Sequence, residues 1–99
     1  MTTYRDTLNR AAALLESSPD AWTKNEFAHD RAGNPVPATD PTACSWCTLG
    51  AIKKVAATDD EAREATVKLQ GLLLQSVGSW NDTQTDKSVV IAKLREAAK

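Results

Sequence analysis

Asp40-Pro41-Thr42-Ala43-Cys44-Ser45-Trp46-Cys47-Thr48-Leu49-Gly50-Ala51-Ile52 is the stretch on which the reading of this fold turns. It holds both cysteines, one of the three tryptophans and a glycine in mid-pattern. Asp40 and Pro41 read as an N-cap and a first helical residue, where the missing N–H of proline does no harm. The spacing predicts a helix from there through Lys53 and Lys54 to Ala57, with Ala43, Trp46, Cys47, Gly50, Ala51 and Val55 on one face. The segment is then the packed centre of a helical fold. The competing reading is a reactive Cys44-x-x-Cys47 site.

Working outward, a first helix is expected from Thr3 to Ser17. Thr3 caps it, Asp6 sits in the first turn, and Tyr4, Leu8, Ala11, Ala12 and Leu15 recur at helical spacing. Pro19 ends it. Residues 20–40 read as a long ordered loop anchored by Trp22 and Phe27. The turn formers Asp30 to Pro35 allow one short hairpin there, with Phe27-Ala28-His29 and Val36 as its arms. Prolines 35, 37 and 41 argue against extensive pairing.

Downstream, Thr58-Asp59-Asp60-Glu61 is a capping box. It opens a third helix with Ala62, Ala65, Leu69, Leu72, Leu73 and Val77 inward, stopped at Gly78 as the left-handed residue. Ser79 to Thr83 is a connector, and a last helix runs from Asp86 to Ala98 with Val90, Leu94 and Ala97 inside. The fold class expected is all-α: a single domain over residues 1–99, built of four helices with the long loop between the first two.

The chain has 99 residues, 41% of them apolar and 25% charged, with a net charge of −1. That composition suits an ordinary globular chain and gives no basic patch for nucleic acid. No stretch approaches the apolar length of a membrane span. The first residues carry no basic-then-apolar leader, so a cytoplasmic location with reduced cysteines is expected.

The ordered set Trp22…Asp30-x-x-Gly33-x-Pro35-Val36…Asp40-Pro41-x-Ala43-x-x-Trp46-Cys47-x-x-Gly50-Ala51…Trp80-Asn81-Asp82 resembles a family of small uncharacterised proteins from bacteria and their phages. Its marks are a Trp-Cys-x-x-Gly-Ala helix and a later Trp-Asn-Asp before a final helix. Trp46, Cys47, Gly50, Ala51, Trp80, Asn81 and Asp82 carry the likeness, which spans most of the chain. Cys44 and His29 lie outside it. The resemblance implies no activity. It favours an accessory or host-interaction role.

Each candidate chemistry has a plainer reading beside it. Redox pairs of the thioredoxin kind follow a strand in a βαβ unit and put the first cysteine at a helix start, so Cys47 reads instead as a small buried apolar residue. A zinc site needs about four ligands; Cys44, Cys47 and His29 would need Asp30 or Asp40 to complete one, and the second Cys-x-x-Cys that makes such a pattern strong is absent. A Cys47–His29–Asn81 or Asp82 constellation needs a base beside the thiol. Gly50, costing a helix about 1 kcal/mol against alanine, calls for a close helix crossing or an indole laid over the backbone, with Gly71 as a matching small site. Trp80-Asn81-Asp82 is a core plug with a polar turn, or one wall of a pocket shared with Trp22 and Trp46.

The sequence therefore favours a non-enzymatic interaction protein without metal or cofactor. Its partner is expected to be another protein, engaged by loop residues Phe27, His29, Arg31 and Asn34, with neither nucleic acid nor membrane involved. The alternative is a small-ligand site built from Trp22, Trp46, Asn81 and Asp82. A thiol redox protein using Cys44 and Cys47 ranks below both.

Overall fold

A computed structural model describes residues 3–99 of the chain. Met1 and Thr2, which open the segment read for a leader, lie outside the described residues. Helix α1 (Tyr4–Glu16) begins with a reciprocal cap: Thr3 Oγ1 accepts from the Asp6 amide and Asp6 accepts from the Thr3 amide, both at 3.3 Å. Two of the donors that a helix start leaves orphaned are thereby satisfied. Leu8, Ala11, Ala12 and Leu15 are fully buried along one stripe. The other end of α1 is closed from a distance. Lys87 Nζ donates to the Leu15 and Ser18 carbonyls at 3.0 and 2.6 Å, a cation placed at the negative end of the helix dipole.

The fold is mostly helical but not all-α. Strands β1 (Ala28–His29), β2 (Pro35–Val36) and β3 (Ser45–Trp46) form a small antiparallel sheet in the order β2-β1-β3. The one short hairpin that the Asp30–Pro35 turn formers allow is formed, as β1–β2. Asp30 Oδ1 accepts from the Ala32 and Asn34 amides at 2.9 Å, and Gly33 takes φ +88°. The amide of Asn34, first among these donors, holds the Asp30 carboxyl below the usual range. Pro35 is tolerated because β2 is an edge strand.

The third strand corrects the reading of Asp40-Pro41. Asp40 does accept the Thr42 amide and hydroxyl, at 2.8 and 2.6 Å, but this closes a turn and no helix follows it. Ser45 and Trp46 pair with His29 and Ala28 instead. On the same stretch Trp46 N–H donates to Ala21 at 2.7 Å and Trp46 C=O accepts from Thr23 at 3.0 Å. With its backbone groups engaged on both sides, the segment cannot wind. Helix α2 (Thr48–Val55) starts only after Cys47, which is its N-cap. Trp46 and Cys47 are buried, but from a strand and a cap.

Three further helices follow, making five among the described residues where four were expected. Helix α3 (Asp59–Leu73) opens on the Thr58 cap, with Glu61 reaching back one residue further than a capping box requires, to the Ala57 amide at 3.1 Å. Its inner stripe is Ala65 and Leu69; Leu72 is exposed. Helix α4 (Val77–Thr83), capped by Ser76, occupies the expected connector. Gly78 lies inside it and does not end α3. Helix α5 (Lys87–Ala97), capped by Asp86, buries Val90 and Leu94. Helix α1 packs against α5, α2 and α3 and is the centre of the core. All three tryptophans meet this core, Trp46 and Trp80 within it and Trp22 against its edge.

The residue that ends α3 is Leu74, at φ 59° and 92% exposed. An L-residue with a β-carbon pays about 1–2 kcal/mol for that conformation, and an exposed side chain returns little. Leu74→Gly is expected to stabilise the protein by about 1 kcal/mol, net of glycine's extra chain entropy. Urea unfolding at constant m-value measures it. A destabilisation would mean that Leu74 makes contacts that offset its strain.

Candidate functional site

Asn81 sits at the meeting point of three segments distant in sequence. Its Oδ1 accepts from Trp22 Nε1 at 2.7 Å, from the Thr48 amide at 3.0 Å and from the Thr48 hydroxyl at 2.6 Å. Its Nδ2 donates to the Thr23 carbonyl at 3.1 Å and to Asp82 Oδ1 at 3.2 Å. Asp82 Oδ1 also accepts from the Asn25 amide at 2.9 Å, holding Asn25 at φ 72°, a conformation asparagine adopts more readily than most residues. Of the four residues read as a pocket, Trp22, Asn81 and Asp82 are therefore brought together. Trp46 is joined to them through the backbone and sends its indole N–H to Ala38 C=O at 2.9 Å.

This changes what the Trp-Asn-Asp run can do. The Asn81 side chain is fully buried and every one of its polar atoms is engaged inside the protein. It clasps the 22–25 loop and the start of α2 to α4. Among the described residues no buried side-chain nitrogen or oxygen lacks a partner. Thr48, the other half of the clasp, escaped the sequence reading. Its signal was a hydroxyl residue directly after Cys47, which itself supports the start of a helix.

The two cysteines lie in opposite settings. Cys44 is exposed, Cys47 is buried, and both are free thiols. Cys47 Sγ accepts from the Gly50 amide at 3.3 Å. Burial, above all, pushes its thiol up from the ordinary value, and the nearby Asp82 charge adds to this against the lowering effect of the helix-start amides. That is the reverse of an activated thiol. His29 does not face it: its Nδ1 is 2.9 Å from Thr23 Oγ1, and it lines a different cavity. Among the described residues no group of three or more His, Cys, Asp or Glu is placed to hold a metal ion. With a thiol reagent at neutral pH, Cys44 is expected to react at least about tenfold faster than Cys47, whose reaction must await local opening. Peptide mapping after timed alkylation reads the two rates; equal rates would contradict the buried setting of Cys47.

Phe27 is the residue of the loop set that stands out in space. Its backbone is pinned: the carbonyl accepts from the Cys47 amide at 3.1 Å and lies against Gly50, where a β-carbon would come within 1.9 Å of the oxygen. That approach accounts for the glycine, in place of the helix crossing or indole expected. Gly71 has open space around it and is not a matching site. Phe27 is nevertheless 45% exposed. It divides two depressions, one along Pro37, Ala38, Lys53 and Ala56, the other a cleft of about 190 Å³. Around that cleft the exposed Glu26, Phe27 and Asp82 surround the more buried Cys47, Leu49 and Gly78. Lys53 Nζ lies 4.7 Å from the ring centroid. His29 is half-buried, while Arg31 and Asn34 are exposed at the hairpin turn, Asn34 bonded to Asp30.

Among the described residues no helix is long and apolar enough to cross a membrane. A family model described as "Family of unknown function (DUF6197)" matches residues 1–99. No curated protein and no solved structure matches the chain.

Proposed function

We propose that this chain, which belongs to the DUF6197 family of unknown function, is a non-enzymatic binding protein that engages another protein through the surface around Phe27. One observation carries the reading: an aromatic residue left 45% exposed on a backbone that the β1 strand, the Cys47 amide and Gly50 hold in place. Aromatic anchors dominate the energetics of protein interfaces, and one that is already ordered loses little entropy on binding. The small-ligand reading is weaker, because Asn81 is consumed by the clasp and, of the four residues of that reading, only Asp82 lines the cleft. An accessory role in a phage or mobile element is part of the proposal and rests on the sequence resemblance alone; a cytoplasmic location is proposed with it from the sequence reading, not from that resemblance.

The test is affinity capture from cells that express the protein, with the wild type and Phe27→Ser compared side by side. Phe27→Ser keeps the Phe27 carbonyl and its contacts, so its circular dichroism should match the wild type. Wild-type protein is expected to enrich a partner that the variant loses at least about tenfold, the effect of removing one anchor worth roughly 1.4 kcal/mol or more. The same enriched set with both proteins would refute the role of Phe27.

A further inference from the structure

The cleft beside Phe27 has a one-sided chemistry. Its exposed wall carries two carboxylates, Glu26 and Asp82, and the aromatic side chain of Phe27; among the described residues no basic one lines it. Neither carboxylate has an ion-pair partner among the described residues. Asp82 spends Oδ1 on the Asn25 and Asn81 donors and keeps Oδ2 free of hydrogen bonds among the described residues. The inner wall is apolar, formed by Leu49, Cys47 and the backbone at Gly78, where a missing side chain leaves room beside the Leu49 methyl. Lys53, the cation nearest the ring, lines the other depression and does not fill this one.

Negative charge above an apolar, aromatic-sided slot suits a long side chain with an apolar stem and a cationic head. The stem lies along Leu49 and the ring while the head meets the carboxylates. A planar guanidinium stacks on an aromatic face and donates in several directions at once, so arginine suits the slot better than lysine. We infer that the cleft between Phe27 and Asp82 receives a basic side chain, preferentially arginine, projected by the partner protein. This rests on the partner-binding reading and adds to it the chemistry of the partner's anchor.

The experiment is a titration of 15N-labelled protein with N-acetyl-arginine amide, against N-acetyl-citrulline amide as the uncharged control. Amide shifts confined to Glu26, Phe27, Leu49, Gly78 and Asp82 are expected, saturating with a Kd on the order of 1 mM, as befits one side chain. Binding should weaken with added salt and fall about tenfold in the Glu26→Gln, Asp82→Asn double variant, where Asn retains an oxygen for the Asn25 amide. Glu26→Gln alone touches no internal bond and serves if the double variant loses its dispersed spectrum. Equal shifts with citrulline, or undiminished arginine binding in the folded charge variants, would overturn the inference. A partner lost in Phe27→Ser yet retained by the charge variants would overturn it while leaving the partner-binding reading intact.

Discussion

Gly50→Ala is expected to cost about 2–3 kcal/mol of stability, the upper range for overpacking, although alanine is the better helix former. The two effects oppose each other and their sizes decide the sign. Helix propensity favours alanine by about 1 kcal/mol. Against this, the new β-carbon would lie 1.9 Å from the Phe27 carbonyl oxygen and 2.9 Å from its carbon. Backbone, not a flexible side-chain tip, is the obstacle. It is also held from both sides, because Phe27 C=O accepts from the Cys47 amide and Ala28 begins the central strand, paired to β2 and β3. Retreat of the carbonyl would therefore shift the sheet or break the bond to the α2 cap. The melting temperature should fall by roughly 10–20 °C, at 4–8 °C per kcal/mol for a domain of this size. Gly71→Ala is the control. It sits on α3 with nothing within 4 Å of its added carbon, so propensity acts alone and stability should rise by up to about 1 kcal/mol. If both substitutions move stability the same way in urea titrations, the close approach of loop and helix is not what selects glycine at position 50.

The contrast between those two glycines shows which parts of the structure were legible in the sequence. Local signals whose partners lie within a few residues are legible: Thr3 as the cap of α1, Thr58 as the cap of α3 (with Glu61 bonding back to Ala57 and not to the cap), the start of α5 at Asp86, and the turn from Asp30 to Pro35. Each is complete in its own segment, so the surrounding fold only has to leave it alone. Asp40-Pro41 was equally well formed as a local signal and failed, because its aspartate closes a turn as readily as it caps a helix. The residues between it and the true helix start decided the outcome. Thr42, Cys44, Ser45, Trp46 and Cys47 are weak helix formers, and four non-local backbone partners, Ala21, Thr23, Phe27 and His29, claim the stretch. Gly50 was read as a tight contact, but its neighbour comes from the loop, a pairing with no trace in spacing. Likewise the Glu26–Asp82 cleft joins residues separated by most of the chain, and only the folded clasp at Asn81 brings them to one side.

That clasp carries the second large effect. Asn81→Ala should destabilise the protein by about 3–5 kcal/mol, at roughly 1–3 kcal/mol for each buried polar group left unpaired. The groups stranded are Trp22 Nε1, the Thr48 amide and hydroxyl, and the Thr23 carbonyl. A water entering the vacated space would reduce the loss, so a second substitution is needed to separate hydrogen bonding from packing. Asn81→Asp has nearly the same shape and keeps the oxygen that accepts three bonds, but replaces the donor with a second oxygen facing the Thr23 carbonyl and Asp82. Burial, the Thr23 carbonyl and the Asp82 carboxylate disfavour charge on the new carboxyl, against the three retained donors that favour it; with the first set the stronger, its folded-state pKa is expected above the unfolded value near 3.9. A raised folded pKa gives stability that is present below the unfolded pKa and is lost as pH rises through the folded one. The deficit of Asn81→Asp relative to wild type should therefore be small near pH 4 and grow toward pH 8, whereas that of Asn81→Ala should stay level. Urea unfolding of the three proteins at both pH values, followed by tryptophan fluorescence, gives the comparison directly. A flat pH profile for Asn81→Asp would mean that the carboxamide donor does not matter, and that α4 is held to the loop by packing of Trp80 instead.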